Sequence, residues 1–510
     1  MNIGDAYFVS YPFAVQWKKR GQNNETKGKK AINQLLWGDW ARIEDIQGNW
    51  VQIRSRRRSG WVRKENLQEN RILEVNFVDV AQGDGAHIQT PDDKALVVDA
   101  GQEDNLYRFL RWRFGKFRSP FKFEAAVITH PDKDHYYGFT HLFEHENVQF
   151  GSVFHNGIVE QKVGGKNSLG KEERPVGVRR KHLTGFVRDR EDLKKITNSN
   201  ARTGGRFFPK MMKTAETSGR VDDISAVFAS MDLASPAFLP GFSPDDQRGM
   251  TIKLLGPLPT KLPNGKLGLP TFGSTGKTKN GHSVVLQIEI GEVSIQLGGD
   301  LNEPSQDYLL EKYTGLSYPP HSAEEEEEMV SVARQYFQAD VTKACHHGSL
   351  DISTTFLQAV NPLATVVSSG DNEPHAHPQP ATLGLVGKYG RGSAPLIFST
   401  ELARSSDDTI KNPAVVRKEL RKTLQENEAV LADITATAAK KKKAQENIDK
   451  ALRVIERSVA NYGMINLRTD GVNILMAQRL ERDRSKSKRW DIHLLEPDQN
   501  GRLRYKKKRH

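Results

Sequence analysis

The chain has 510 residues, more than one compact domain usually contains, and this length corresponds to about three domains. Hydrophobic residues make up 37% and charged residues 27%, which excludes a wholly disordered chain. The net charge of +12 favours an anionic partner, nucleic acid before a membrane surface, and the single cysteine excludes an intrachain disulfide or a Cys-based zinc cluster.

Residues 1–68 are predicted to form a small β-barrel. Trp37, Trp50 and Trp61 lie in short segments that alternate apolar and polar residues, with glycine at the intervening turns. The segments Trp50-Val51 and Gly60-Trp61-Val62 resemble the last strands of bacterial SH3-like domains. This resemblance implies an SH3-like barrel in front of the main domain.

Residues 71–400 are predicted to form an α/β domain in which polar clusters follow apolar strands. A helix is expected around 105–114, between the second and third strands. Because each strand ends in a polar cluster, we expect the chemistry of the domain at the strand ends. The predicted strands are 72–80, 94–101, 125–130, 250–256, 283–290, 293–300, 340–347 and 364–370.

Three further segments differ from this core. Residues 156–220 contain 16 Lys and Arg against 7 Asp and Glu and are interpreted as a basic insertion. Residues 405–460 are predicted to be a helical insertion, in which 413–458 form either one long helix or two antiparallel helices broken near Lys440–Lys443. Residues 461–510 are predicted to supply the last core strands, a hairpin turning at Asp470-Gly471, and a basic tail.

The strongest chemical signal is the segment His130–His135, which reads His-Pro-Asp-Lys-Asp-His directly after a predicted strand. It places four potential metal ligands within one short loop. Imidazole and carboxylate groups bind Zn²⁺ and Mn²⁺, and a tight loop can direct two ligands at each of two ions. The alternative is a polar loop in which the proline and the carboxylates only form a turn.

Later strand ends carry more residues of the same kinds. Together with the glycine-rich turns before them, they resemble an ordered set of motifs in the metallo-β-lactamase superfamily, in its ComEC-like branch of competence nuclease domains. The resemblance implies an αββα sandwich and a hydrolase active site. The matching segments are Asp79–Asp84, Asp99–Gly101, His130–His135, Gly299-Asp300, His346–Ser349 and Ala376–Pro378.

The resemblance implies that two divalent metal ions, Zn²⁺ or Mn²⁺, are bound. His130 and Asp132 would hold the first ion, and Asp134 and His135 the second. Asp300 would bridge the two ions. The bridged ions would lower the pKa of a bound water molecule for attack on an ester, and a ligand set rich in aspartate suits phosphate esters.

Five further residues receive roles from the same resemblance. One of His346 and His347 would complete the coordination, with His346 preferred. His347 and His377 would then bind phosphoryl oxygens or protonate the leaving group. Asp99 would orient the metal loop through hydrogen bonds, and Asp84 would support the loop structure without catalysing the reaction.

Three functions are compatible with these features. The first is a metal-dependent DNA nuclease, for instance a defence effector, because basic segments suit a polyanion. Arg179, Arg180 and Lys181 are its candidate nucleic-acid contacts. The second is a phosphodiesterase on a small or cell-wall ester such as phosphorylcholine. The third is a regulatory binding protein that uses the SH3-like barrel and the helical segment.

The sequence also predicts the cellular location and the partners of the protein. No apolar stretch reaches the roughly 18 residues of a spanning helix, and the N-terminus lacks a signal-peptide pattern. We therefore expect a cytoplasmic location and no membrane partner. A protein partner or self-association is expected through the SH3-like barrel or residues 413–458.

Overall fold

The structure is a computed structural model of the chain. It describes residues 1–21, 30–178, 180–370, 377–400, 413–461, 464–479 and 485–506; in the two long helices of 413–461, side chains are described from 422 to 451. The described residues form a mixed α/β protein, which confirms the predicted class. No helix among them is both long and apolar enough to cross a membrane.

Seven strands between residues 6 and 68, all within the described residues, form an antiparallel sheet, here called the N-terminal sheet. Side chains alternate along its strands, so that Ala14 is buried while Phe13 is 38% exposed. Val9, Leu35 and Ile53 belong to a small core of its own. The strands are β1 (Ala6–Val9), β2 (Phe13–Trp17), β3 (Ala31–Leu36), β4 (Trp40–Gln47), β5 (Trp50–Ser55), β6 (Arg58–Arg63) and β7 (Leu67–Gln68).

A sheet of ten strands forms the first layer of the main domain. In space its order is β17-β12-β11-β10-β9-β8-β26-β27-β28-β29, and β10, β11, β12 and β17 run parallel. The sequence did not predict β9, because it is short and carries the polar residues His87 and Gln89. The strands are β8 (Leu73–Phe77), β9 (Gly85–Gln89), β10 (Ala95–Ala100), β11 (Phe121–Ile128), β12 (Val148–His155), β17 (Val221–Ala226), β26 (Ile465–Thr469), β27 (Ile474–Arg479), β28 (Trp490–Pro497) and β29 (Leu503–Lys506).

A sheet of six strands forms the second layer, in the order β18-β21-β22-β23-β24-β25. The strands from β22 to β25 are parallel, so their carboxyl ends lie at one edge. The predicted strands at 340–347 and 364–370 are shorter than expected because their polar ends leave the sheet as loops. The strands are β18 (Thr251–Gly256), β21 (Val285–Ile290), β22 (Val293–Leu297), β23 (Val341–Lys343), β24 (Ala364–Val367) and β25 (Leu396–Ser399).

Helices cover the outer faces of these two sheets. Leu96 and Ile288 belong to the core between the sheets, whereas Val97 packs with helical residues such as Phe109 on the outer face of the ten-stranded sheet. Val285 packs in the same way with the helices on the six-stranded sheet. The helices are α1 (Asn105–Arg113), α2 (Lys133–Tyr136), α3 (Phe139–Glu144), α4 (Arg190–Thr197), α5 (Asn200–Thr203), α6 (Phe207–Thr217), α7 (Thr275–Gly281), α8 (Glu303–Thr314), α9 (Ala323–Phe337), α10 (Thr354–Val360), α11 (Pro380–Tyr389), α12 (Pro413–Ala432) and α13 (Ala438–Asn461).

The basic segment 156–220 folds onto the main domain. It contains α4, α5, α6 and short strands, and two of those strands join β19 (Thr260–Lys261) and β20 (Leu267–Pro270) in a four-stranded sheet. Phe208, Met211 and Met212 of α6 are buried in the core on the outer face of the ten-stranded sheet. The short strands are β13 (Gln161–Val163), β14 (Lys166–Ser168), β15 (Glu172–Glu173) and β16 (His182–Leu183).

Residues 413–461 form two helices, α12 and α13, that pack against each other. Asn447 Nδ2 donates to Asn427 Oδ1 at 3.1 Å across this contact. The break lies at residues 433–437, a few residues before the lysine run that the sequence suggested. The hairpin predicted at Asp470-Gly471 connects β26 and β27, and Gly471 adopts a φ of +93° that suits glycine.

A buried ionic network joins the N-terminal sheet to the ten-stranded sheet. Arg468 of β26 is 2% exposed; its guanidinium lies 2.9 Å from Asp39 Oδ1 and 3.3 Å from Glu74 Oε1. Arg113 binds Glu74 through two hydrogen bonds of 3.0 and 2.9 Å. Burial alone would raise the pKa of Glu74, but Arg113 and Arg468 outweigh it and hold that pKa well below its usual range.

Two buried histidines make the fold sensitive to acid. Burial lowers the pKa of both His155 and His282 to about 4. An unfolded histidine has a pKa of about 6.5, so the unfolded chain binds protons in this window that the folded chain does not. We expect the free energy of unfolding to fall between pH about 6.5 and about 4, by up to about 3 kcal/mol for each histidine. Urea unfolding at several pH values measures this.

The variant His282→Gln tests the assignment, because glutamine can still donate to the Pro270 carbonyl that His282 contacts at 2.7 Å. Its stability should depend less steeply on pH in this window. The matched control is His321→Gln at an exposed position, which should retain the pH dependence of the wild type. Identical slopes for His282→Gln and the wild type would contradict the prediction.

Candidate metal centre

Loops from both sheets bring four ligand-type side chains together. Asp84 precedes β9, and His135 follows β11. Asp300 and His347 follow β22 and β23. One ligand atom from each residue lies within 4.8 Å of the others, and all four side chains are buried. This buried His/Asp cluster could hold a metal ion.

The two histidines of the cluster direct their Nε2 atoms at the same oxygen. Asp300 Oδ2 lies 3.2 Å from His135 Nε2 and 3.2 Å from His347 Nε2. His135 Nδ1 is 2.8 Å from Asp99 Oδ2, and His347 Nδ1 is 3.1 Å from the carbonyl oxygen of Ser368. When Nδ1 donates to such an oxygen, Nε2 keeps the lone pair that binds a metal. The arrangement therefore suits metal binding by both rings.

Asp99, at the end of β10, is hydrogen-bonded to the segment 129–135. Its carboxylate accepts hydrogen bonds from Thr129 N at 2.8 Å and from Thr129 Oγ1 at 2.7 Å, in addition to its contact with His135. The residue is 1% exposed and has a φ of +55°. These hydrogen bonds fix the orientation of the His135 ring.

The remaining residues of the loop 130–135 surround the cluster. His130 Nε2 lies 3.6 Å from Asp132 Oδ2 and 4.0 Å from Asp300 Oδ2, and Asp134 Oδ2 lies 3.5 Å from His347 Nε2. The Nε2 atom of His130 is buried and has no hydrogen-bond partner among the described residues. A buried polar atom without a partner is costly, and a bound cation would satisfy it.

The structure places the adjacent histidines 346 and 347 differently. His347 contributes to the cluster, whereas His346 Nε2 lies 3.4 Å from the Asn280 side-chain amide. This placement differs from the sequence-based preference for His346 as the ligand. Both residues have left-handed φ values, 49° and 54°, in the turn of Cys345–Gly348. Because the turn has no regular helical or strand spacing, the sequence did not indicate which ring points inward.

Asp84 also lies closer to the centre than the sequence predicted. It was expected to support the loop, yet it contributes an oxygen to the cluster, 3.2 Å from His347 Nδ1. Gly83 makes this approach possible: a Cβ atom there would lie 1.7 Å from the carbonyl oxygen of Asp134. The glycine, with a φ of +105°, was the available sequence signal for this close contact.

Sequence analysis missed Lys343, the last residue of β23. It is 4% exposed; its Nζ atom forms an ion pair with Asp84 and lies 3.5 Å from Asp300 Oδ1. Nζ also donates to the carbonyl oxygen of Gly299 at 2.9 Å. Burial alone would lower the pKa of Lys343, but Asp84 and Asp300 outweigh it and raise that pKa. A lysine inside an apolar strand was the sequence feature that could have identified it.

The charges of the centre compensate one another. Burial alone would raise the pKa of the Asp300 carboxyl, but His135, His347 and Lys343 hold it well below its usual range. Burial alone would lower the pKa of both histidines, but the negative charge of Asp300 raises it well above the usual value. The carboxylates of the centre therefore favour positive charge close to them, either on the neighbouring side chains or on a bound cation.

The basic insertion contributes to the surroundings of Asp132. Lys279 Nζ of α7 forms ion pairs with both Asp132 and Glu160, and Arg206 forms an ion pair with Glu160. Lys279 thus connects Glu160 of the insertion to Asp132, a predicted metal ligand, and Arg206 of the insertion extends this series of ion pairs. The sequence did not predict this series of ion pairs, because Lys279 is 147 residues away from Asp132.

Aromatic residues adjoin the same region. Phe207, which is 52% exposed, packs its ring 5.6 Å from that of Tyr137. Lys133 Nζ lies 4.9 Å from the Tyr137 ring. Tyr136, in contrast, is 5% exposed and packs against Phe208, so it belongs to the core.

The other predicted site residues lie outside the cluster. The His377 ring lies 5.6 Å from that of His346 and 6.1 Å from that of His347. Arg180 and Lys181 are exposed near the short strands of the insertion, and Lys181 pairs with Glu172 at 3.3 Å. Arg179 and Ala376 lie outside the described residues.

Comparison with protein-family models and with curated proteins found no match to this chain.

Proposed function

We propose that this chain is a two-metal phosphodiester hydrolase of the metallo-β-lactamase superfamily, in its ComEC-like branch, and that it cleaves DNA. The observation that carries the proposal is the position of Asp300. One of its carboxylate oxygens contacts His135 and His347 at 3.2 Å and approaches His130 at 4.0 Å. A carboxylate shared by two groups of ligands suits a pair of cations.

The ligand types in the centre fit divalent metal ions. His130 and Asp132 would hold one ion, and His135, His347 and Asp134 the other, with Asp300 between the two groups. Asp84 is an additional candidate ligand. When bound, the ions would activate a water molecule for attack on phosphorus. The mixture of imidazole and carboxylate suits Zn²⁺ or Mn²⁺.

Protein side chains have defined tasks in this proposal. Asp99 holds His135 so that its Nε2 atom faces the centre, and Lys343 neutralises part of the charge of Asp84 and Asp300. His346, which lies beside the cluster, and His377 are the candidates to bind phosphoryl oxygens or to protonate the leaving oxygen.

The charge around Asp132 supports an anionic substrate. Asp132 and Glu160 pair with Lys279 and Arg206, and Lys133 beside the Tyr137 ring is a third cation, so the positive charges exceed the negative ones by one. Cations next to a hydrolytic centre attract phosphate groups, and an exposed aromatic ring such as Phe207 can stack on a base. Together these features favour a nucleic acid as the substrate, and the basic segments of the chain favour a long one.

A small phosphodiester is the second candidate. Tyr137 and Phe207 pack with their rings nearly perpendicular, at 86°, and Glu160 adds negative charge to the same region. An aromatic wall with a carboxylate also suits a small cationic ester. The two candidates differ in substrate size, which a direct assay separates.

The purified full chain should bind Zn²⁺ or Mn²⁺ and cleave DNA only when metal is present. Elemental analysis measures the bound metal, and plasmid, linear DNA, RNA and bis-p-nitrophenyl phosphate are the substrates. Chelation should abolish cleavage, and added metal should restore it. Absence of bound metal together with absence of activation would refute the proposal. Hydrolysis of the small ester without cleavage of nucleic acid would favour the second candidate.

The basic insertion is predicted to bind the substrate without taking part in the chemistry. Replacing Arg179, Arg180 and Lys181 by alanine should weaken DNA binding and flatten its salt dependence by roughly one unit of slope for each lost phosphate contact. Binding titrations at several salt concentrations measure this. Hydrolysis of bis-p-nitrophenyl phosphate should stay nearly unchanged.

The control variant replaces Lys440, Lys442 and Lys443 by alanine and so loses the same amount of positive charge. These side chains are exposed near the start of α13. That variant should retain the salt slope of the wild type. If the insertion variant loses its activity on the small ester as well, the insertion shapes the centre and the prediction is wrong.

A further inference from the structure

A cavity lies between the N-terminal sheet and the ten-stranded sheet. It has a volume of about 500 Å³, which is within the usual range for small-molecule sites of about 300–1,000 Å³. Trp40 and Arg57 line it from the N-terminal sheet, and Trp112 of α1 lines it from the main domain. None of its lining residues belongs to the candidate metal centre.

The floor of this cavity is unusually polar for the middle of a sheet. Asn466 of β26 is paired in register with Asn76 of β8, and Arg468 is paired with Glu74 in the neighbouring row. All four side chains line the cavity and are at most 5% exposed. Central strands covered by other layers normally carry apolar residues at such positions. The row of Arg468 and Glu74 belongs to the ionic network that joins the two sheets, so the row of the two asparagines is the one that needs an explanation other than packing.

Three buried polar atoms on this floor are unsatisfied. Asn76 Oδ1, Asn466 Nδ2 and Arg468 Nε have no hydrogen-bond partner among the described residues. The two asparagines are each 1% exposed. Asn76 Oδ1 is an acceptor and Asn466 Nδ2 is a donor on adjacent strands. Both atoms are buried at the base of the cavity, so the edge of a planar amide or a nucleobase could pair with them only after the side chains above them move.

The walls of the cavity carry positive charge and aromatic rings. Five arginines and three carboxylates line it, an excess of two positive charges. Arg57 is exposed and donates a hydrogen bond to the Trp112 carbonyl oxygen at 3.4 Å; among the described residues its side chain has no ion pair. Trp40 is 46% exposed at the same site. An exposed indole and an uncompensated guanidinium suit a ligand with both a flat ring and an anionic group.

We propose that this cavity binds a nucleotide. Asn76 and Asn466 would recognise the base edge, Trp40 would stack on the base, and Arg57 would bind the phosphate. Because this site shares no residue with the metal centre, the proposal does not depend on the proposed hydrolase activity. The nucleotide could be free or could be the end of a nucleic acid strand, and the experiment below distinguishes these sources.

Calorimetric titration of the full chain with nucleotides tests the proposal. The titrations contain a chelator, so that the metal centre is empty of added cations. The probes are AMP, GMP, CMP and UMP, with adenosine, ribose 5-phosphate and inorganic phosphate as fragments. At least one nucleotide should bind at least about tenfold more tightly than any fragment, since base and phosphate contacts add. A 5′-phosphorylated oligonucleotide that binds more tightly than every mononucleotide would identify a strand end as the source.

Variants at exposed positions locate the site without risk to the fold. Trp40→Ala and Arg57→Ala should each weaken nucleotide binding by about tenfold or more. Arg54→Ala, at an exposed position on the same sheet, should bind as the wild type does. The proposal is overturned if no nucleotide binds, if inorganic phosphate binds as tightly as the nucleotides, or if both cavity variants bind normally.

Discussion

Asp300→Asn is expected to reduce phosphodiester hydrolysis by at least about 1000-fold, which corresponds to about 4 kcal/mol of lost transition-state stabilisation. The substitution removes the negative charge that both groups of ligands share, at a residue that is 3% exposed. It keeps the size of the side chain, so the surrounding packing should persist. Turnover of bis-p-nitrophenyl phosphate and the bound metal per chain are the measurements. We expect metal content to fall together with turnover.

Asp351→Asn is the matched control. Asp351 lies shortly after the His346–Ser349 motif and pairs with Lys277 at 3.1 Å, outside the cluster. This variant should retain metal and turnover. A fully active Asp300→Asn variant with unchanged metal content would show that Asp300 does not bridge two cations, and the proposed mechanism would fail with it.

Lys343→Met is expected to destabilise the metal-free protein by about 3–5 kcal/mol, because it removes the lysine cation that Asp84 and Asp300 share and leaves only the two histidines beside these buried carboxylates. Asp84 and Asp300 both contact Lys343 Nζ, and all three side chains are nearly inaccessible to solvent. Added Zn²⁺ or Mn²⁺ should stabilise the variant more than the wild type, since a bound cation replaces the missing charge. Urea unfolding with chelator and with added metal measures both effects.

Lys253→Met provides the comparison for this experiment. Lys253 pairs with Glu289 at 2.7 Å, but about a third of each side chain is exposed, and such pairs contribute about 0–1 kcal/mol. The stability of the Lys253→Met variant should differ little from that of the wild type and should not depend on metal. If metal-free Lys343→Met unfolds at the same urea concentration as the wild type, Lys343 does not compensate the charge of the centre.

Much of the candidate site could be predicted from short segments of sequence. His130 and His135 lie in one loop, and this loop lies at the end of β11 as the apolar run before it indicated. The position of Asp300 after β22 follows from the same rule, that polar residues after buried strands meet at a sheet edge. In each case the information is local, because one strand and the loop that follows it are contiguous in the chain.

Other members of the site depend on contacts between distant segments. Lys343 reaches Asp84 across more than 250 residues of sequence, and Asp84 enters the cluster because Gly83 allows a contact with the metal loop. The inward orientation of His347 depends on the left-handed turn that follows β23 and on its hydrogen bond to Ser368. Neither the hydropathy pattern nor the spacing of residues along the sequence indicates such contacts.

Apolar periodicity and ligand type are local properties, so the amino-acid sequence was sufficient to predict an α/β protein with strand-end clusters of histidine and aspartate. The packed structure was needed to show which side chains share one centre, how Lys279 connects Glu160 of the insertion to Asp132, and where a cavity forms beside the N-terminal sheet. Charge compensation and cavity shape depend on distances of a few ångströms between segments far apart in sequence, and only the packed layers fix those distances.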